Sequence, residues 1–329
     1  MARTVKMMVD GVWRGDMPDG PELRALRAAS ADRFRHAVSA DGLTPFPAEA
    51  GRYHLYVSYA CPWAHRTILY RRLKGLEGVI GMSVLHPRWG GPDGWTFGDS
   101  DMSTVDHAGG RATLHEVYAA AAPDYTGKIT VPVLWDRRTG AIVNNQSGDI
   151  IRLLDHAFDG VGGDAGVRFR PEALAGEIDA LNAWLLPELC EGVYAAGFAA
   201  TQAAYETAVR GVFSALGRLE GLLSDGRAWL LGDRVTEPDW HLFCTLVRFE
   251  SAYRDAMRCT LRPLSAYPFL VAHRERLLAL PGVADTVRQD HVRRHYHDVL
   301  GEVDPAIVPL GPQAARATDG AATGAGERP

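Results

Sequence analysis

The sequence predicts an α/β unit of order βαβαββα followed by an all-helical unit. Three observations carry that reading. Residues 52–58 (RYHLYVS) alternate Tyr53, Leu55 and Val57 with His54, Tyr56 and Ser58, the two-residue period of a strand, and Pro62 then opens a helical stretch. The runs VPVLW (131–135) and AIV (141–143) flank the turn-rich DRRTG and read as a hairpin. After Gly160 the apolar residues recur only at helical steps, as in Leu174, Ile178, Leu181 and Leu185.

Residues 1–50 carry Gly, Pro and charge in irregular order and read as an arm, with a short helical pattern around Ser30 to Val38. The helix from Pro62 runs through WAHRTILYRRLKG, with proline at the favoured first position and Gly75 as its stop. A second strand at 79–85 completes strand, helix, strand, a parallel pair with a crossover helix. Residues 86–112 are glycine-rich with two tryptophans and follow neither period, which marks a functional loop. A helix at 112–121, the hairpin, and the helix of SGDIIRLLDHAF close a unit spanning 51–160.

The helical unit, 161–310, continues over 203–223 and 229–246. Within it Thr236-Glu237-Pro238-Asp239 sets a hydroxyl and a carboxylate at capping-box spacing, with Val235 and Trp240 placed for a hydrophobic staple. This motif is structural. Residues 311–329 lack any large apolar side chain and read as a disordered tail.

A chain of 329 residues favours two domains. With 35 Lys+Arg against 40 Asp+Glu there is no overall basic field for a polyanion, so nucleic acid is not an expected partner. Asp10 precedes any apolar run of signal-peptide length, and none approaches the roughly 18 residues of a membrane span. The expectation is a cytoplasmic protein without a membrane partner. The four cysteines are scattered and form no C-x-x-C pair, so each is judged as a single thiol.

Cys61 stands between the first strand and Pro62, where unpaired amides and the positive end of a helix dipole stabilise a thiolate. The sequence therefore predicts a lowered pKa, with His65 and Arg66 as candidate nearby positive charges. Ala64 occupies the place of a second cysteine, so a mixed disulfide at Cys61 must be resolved by an external thiol. Cys190, Cys244 and Cys259 read as small buried apolar residues. Val131-Pro132 is a candidate cis bond whose Val131 backbone can pair with a peptide-like ligand, and Gln146 and Ser147 open a helix with amides suited to a carboxylate. His291 and His295 share a helical face near Asp290 and His297, but without a zincin glutamate or a third ligand they read as surface residues, and no metal is expected.

The runs YHLYVSYACPWAHRTILYRRLKGLE and VPVLWDRRTGAIVNNQS, with GVYAAGFAATQAAYE and DHVRRHYHDV, resemble the glutathionyl-hydroquinone reductases, the xi class of glutathione transferases. The resemblance spans nearly the whole chain. It implies a thioredoxin-like domain followed by an all-helical glutathione-transferase domain in a homodimer, with glutathione as co-substrate and aromatic hydroquinone adducts as substrates. Cys61 takes the place of the nucleophile. Trp95, Val131, Gln146 and Ser147 match glutathione contacts, and Tyr194 and Tyr296 match tyrosines beside the aromatic substrate, each able to supply a proton as the C–S bond breaks. Tyr253 is placed in the same cleft. Lys128 stands where the family usually has Arg, which keeps the charge but loses the bidentate fork. Gln146 stands where it usually has Glu, which removes an anion from the γ-glutamyl ammonium; the thiol is thus glutathione or a related one.

Three other readings share the fold. An omega-like thiol transferase or dehydroascorbate reductase would use the same cysteine on other disulfides or oxidants. Ordinary conjugation needs a hydroxyl that stabilises bound thiolate, where this chain has a cysteine. A non-catalytic binding module would not need an intact Cys61.

Overall fold

The computed structural model describes residues 4–18, 20–30, 32–89, 91–299 and 306–311. The expected tail beyond residue 311 lies outside the described residues.

The arm is more regular than its sequence suggested. Strands β1 (Thr4–Val9) and β2 (Val12–Pro18) form an antiparallel hairpin closed by Asp10 and Gly11, both at positive φ (47° and 75°). An Asp-Gly pair between two apolar runs is the signal for such a turn. Helix α1 (Pro21–Ala29) follows. The helical pattern expected at Ser30 to Val38 is not realised. His36 N–H donates to Val143 O and Asn145 N–H to Phe34 O, so this segment's backbone is engaged by the sheet edge instead. Two short parallel strands, β3 (Val38–Ser39) and β4 (Phe46–Pro47), lead into the sheet.

The main sheet has β5 (Tyr53–Val57), β6 (Gly81–Val84), β7 (Val133–Asp136) and β8 (Ala141–Asn144) in the order β6-β5-β7-β8. The first pair is parallel across the crossover helix α2 (Pro62–Leu73), and the other two are antiparallel. All five residues of β5 are buried: α2 packs against this central strand, and Tyr56 meets Phe97 and Asp106 of the loop that follows β6. Helix α3 (Leu114–Ala121) and helix α4 (Ser147–His156) complete the βαβαββα order. Gly75, at φ 66°, follows the C-terminal cap of α2. The long loop between β6 and α3 is pinned by Asp106, whose carboxylate accepts from Tyr56 Oη and from the amides of Ala108, Gly109 and Arg111.

The second half is helical: α5 (Ala175–Leu185), α6 (Gly192–Gly197), α7 (Gln202–Leu223), α8 (Glu237–Arg248), α9 (Arg254–Ala256), α10 (Pro268–Leu278) and α11 (Gln289–Val299). One-turn π segments, Leu186–Cys190 and Phe249–Tyr253, extend α5 and α8. The helix expected from residue 229 starts only at Glu237. Asp239 accounts for the delay, accepting from Leu230 N at 2.9 Å, Thr236 N at 2.8 Å and Thr236 Oγ1 at 2.9 Å, which holds residues 230–236 as a loop against the helix start.

Every residue of α8 is buried. Trp240, Phe243, Cys244 and Val247 pack into the core around the sheet, while Leu242 and Leu246 pack into the helical core. A helix enclosed on all sides joins the two halves. At its start, Arg152 of α4 reaches Glu237 with Nε and Nη2 at 3.0 and 2.9 Å.

Candidate active site

Chain geometry puts Cys61 at the turn where β5 ends and α2 begins, as the residue capping the helix. It is half-buried, and its Sγ donates to Val131 O at 3.6 Å. Val131-Pro132 is a cis peptide. Low-polarity surroundings push the thiol up, opposed by the amides of Trp63 and Ala64 and by the charges of Arg248 and Arg66. The sequence-based expectation of a lowered pKa is therefore reversed. The helix terminus acts in the foreseen direction, but burial outweighs it.

His65 contributes no positive charge. It is fully enclosed, and burial together with the neighbouring Arg248 charge holds it well below the ordinary histidine range. Arg66 is buried and stacks on Trp63, with its guanidinium carbon 4.3 Å from the ring centroid.

Three tyrosines from separate elements meet on the helical side. Tyr194 Oη of α6 lies 2.5 Å from Tyr296 Oη of α11 and 3.2 Å from Tyr253 Oη of the π segment. Burial pushes all three phenols up, and an ionised Cys61 adds to this for Tyr194 and Tyr296. Those two rings therefore share the electrostatic surroundings of the sulfur. They remain protonated at neutral pH and are hydrogen-bond donors there.

The remaining expected residues occupy two places. Trp95 stacks on His295 with centroids 5.6 Å apart and planes 6° from parallel, so the loop leans on α11. Lys128 and Gln146 line a cleft of about 350 Å³ with Arg24, Ser30, Tyr125 and Thr130. Gln146 caps α4, its amide N–H donating to Asn144 Oδ1 at 2.8 Å, and Ser147 is the first residue of that helix. The part played by α1 in this cleft was not foreseen.

His291 and His295, read from sequence as surface residues, pack inward instead. His291 lies edge-on to Tyr59 with centroids 5.4 Å apart, and His295 Nδ1 bonds to Pro87 O at 2.8 Å. The side chain of His297 lies outside the described residues. Among the described residues no group of three or more His, Cys, Asp or Glu is placed to hold a metal ion.

Sequence reasoning missed Arg248. Its signal was a lone cation in the apolar run HLFCTLVRF. The structure sets it directly behind Cys61, donating to Ala60 O at 3.0 Å and Tyr59 O at 2.8 Å.

A thioredoxin-like sheet with a cysteine at its first helix, joined to a helical half, is the architecture of the glutathione transferases. Comparison with protein families agrees, because residues 60–157 match the glutathione S-transferase N-terminal domain and 202–276 its C-terminal domain. The chain is 42% identical to glutathionyl-hydroquinone reductase YqjG of Escherichia coli over 93% of this chain and 94% of that protein, and 42% identical to glutathionyl-hydroquinone reductase PcpF of Sphingobium chlorophenolicum over 93% and 96%. The structure superposes on glutathione-bound YqjG with a TM-score of 0.81 at 40% identity, covering 94% of this chain and 96% of that one. A xi-class transferase from Natrialba magadii gives 0.86 at 39% identity, covering 96% of each. The chain belongs to the glutathionyl-hydroquinone reductases, the xi class of the glutathione transferases.

Proposed function

We propose that the protein reduces S-glutathionyl-hydroquinones to hydroquinones through a mixed disulfide at Cys61. The carrying observation is the placement of Cys61, with amides of α2 and the Val131 carbonyl on one side and, on the other, partly buried Tyr194 and buried Tyr296, both protonated. The ionised thiol attacks the sulfur of the adduct and forms an S–S bond. The C–S bond electrons pass to the ring carbon, which takes a proton donated by Tyr194 or Tyr296, and hydroquinone leaves. A second glutathione then attacks the glutathionyl sulfur, giving glutathione disulfide and restoring the Cys61 thiolate. Each turnover thus oxidises one free glutathione thiol, whose proton returns to the phenol, and the other sulfur of the disulfide comes from the adduct.

Trp95, Lys128, Val131, Gln146 and Ser147 hold the glutathione part, and Tyr194, Tyr253 and Tyr296 face the aromatic part. The N-terminus of α4 at Ser147 presents first-turn amides that suit a carboxylate. The protein works as a cytoplasmic homodimer in this reading, and four free cysteines suit a reducing compartment.

Mixing the protein with a glutathionyl-hydroquinone and following both released hydroquinone and intact mass tests the proposal. The expected result is release with a glutathione-sized adduct, both absent in Cys61→Ala. Release that persists in Cys61→Ala sinks the cysteine mechanism. An adduct from glutathione disulfide without hydroquinone release moves the protein to general thiol transfer.

A further inference from the structure

Arg248 closes α8 inside the molecule, 1% exposed. Its guanidinium bonds Ala60 O, Tyr59 O, Cys244 O at 2.8 Å and His65 Nδ1 at 3.0 Å. Each acceptor is neutral: three are backbone carbonyls and the fourth is an uncharged imidazole. Among the described residues no carboxylate forms an ion pair with it, whereas buried Arg52 has Asp136 at 2.6 Å. A guanidinium out of water with four of its five N–H groups bonded and its charge uncompensated is costly to fold around.

The direction of the surrounding bonds is fixed. Thr286 Oγ1 donates to Val283 O at 2.7 Å, so it accepts from His65 Nε2–H at 2.8 Å, which leaves His65 Nδ1 to accept from Arg248. The arrangement has a donor at one end, the cation, and an acceptor at the other, a main-chain carbonyl. It holds only while His65 is neutral.

Two of the four acceptors belong to the residues just ahead of Cys61, so the uncompensated charge sits on the turn that carries the thiol. We propose that Arg248 is the positioning residue and counter-charge of Cys61: from the helical half it holds the Tyr59–Ala60 turn and supplies the positive member of an ion pair completed when the thiol ionises. The missing carboxylate is thereby explained, since the anion of this pair is made during the reaction. The Arg248 charge acts on the thiol in the required direction. The titratable and charged groups facing Cys61 are Arg66 and neutral His65 on its own helix, Arg248 and Cys244 from α8, Tyr194 from α6 and Tyr296 from α11. Of these only the two arginines are cations; Arg66 stacks on Trp63, whereas Arg248 bonds the carbonyls of Tyr59 and Ala60.

The inference rests on Cys61 being the nucleophile. Its test is the pH profile of Cys61 alkylation by iodoacetamide, read by mass spectrometry of the Cys61 peptide in the full-length protein and independent of hydroquinone turnover. In Arg248→Met the midpoint should rise by about one unit or more, so that the rate falls about tenfold near neutrality and meets wild type at high pH. Arg248→Lys keeps the charge and should stay within about half a unit of wild type, while turnover falls because an ammonium lacks the planar fork that serves Tyr59 O, Ala60 O, Cys244 O and His65 Nδ1 together. An unchanged midpoint in Arg248→Met overturns the proposal, even if turnover drops. Should that variant not fold, a shift of about one unit or more in Arg248→Lys overturns it equally. Failure of the function itself appears elsewhere, as no adduct on Cys61.

Discussion

Cys61 Sγ meets Val131 O at 3.6 Å, joining the start of α2 to a backbone turn seventy residues away in sequence. A protonated thiol donates in this contact, and the upward push of burial favours that form. Alkylation of Cys61 in the unliganded protein should accordingly show a midpoint above the ordinary cysteine value of about 8.5. The sign follows directly: a raised pKa leaves less thiolate at neutral pH. A midpoint at or below that value would show that the amides and arginines outweigh burial.

Tyr194 and Tyr296 act on the aromatic side, so their removal should separate two activities. Tyr194→Phe and Tyr296→Phe are each expected to slow hydroquinone release by about 10²- to 10⁴-fold, the scale of a lost general acid. Exchange of Cys61 with glutathione disulfide, which needs no proton at carbon, should change little. Equal losses in both assays would place the phenols in folding rather than proton transfer.

The α4 end of the cleft should respond to charge. Gln146→Glu adds an anion that can pair with the ammonium of glutathione, and KM for glutathione should fall by about threefold to tenfold. Cys61 alkylation should not change. A KM that stays constant would mean that the ammonium does not reach residue 146.

Acid should destabilise the protein in two stages. His54, His241 and His291 are each pushed down to about 4, first by burial. The unfolded chain therefore binds more protons than the folded one between about pH 6.5 and 4, and stability falls as pH drops through that window. Glu237, lowered to about 2 by its bonds with His241 and Arg152 against burial, adds a second loss below about pH 4.5. Thermal unfolding measured at pH 7, 5.5 and 4.5 should show a falling midpoint. A flat profile contradicts this.

The loop ahead of α8 depends on a single carboxylate. Asp239 serves Leu230, Thr236 and also His273, at 2.8 Å, all within the core. Asp239→Ala leaves several buried donors unsatisfied and should cost about 3–5 kcal/mol in denaturant unfolding. A loss below about 1 kcal/mol would mean that water replaces the carboxylate.

Most of the sheet was legible because its signals are local. Alternation marked β5, Pro62 and Gly75 bracketed α2, and DRRTG joined β7 to β8. The Ser30–Val38 segment misled because its apolar spacing suits a helix, while its backbone finds partners on β8 that no local pattern reveals. The β1–β2 hairpin was readable in Asp10-Gly11 and was overlooked among charged residues. At the site, Cys61 was visible from its position before a helix, but its thiol chemistry depends on burial contributed by distant residues. Arg248 and the tyrosine meeting point lie in that same category, since residues 194, 253 and 296 meet only after three helices are stacked.

The enclosed helix α8 also limits how this molecule can come apart. Its two apolar faces belong to different cores, so losing either half strips water-excluding cover from the other. Cutting the chain after Gly160 would therefore yield two sticky fragments rather than two working modules, and amide exchange in the sheet and in the helical half should slow or quicken together as a single foldon.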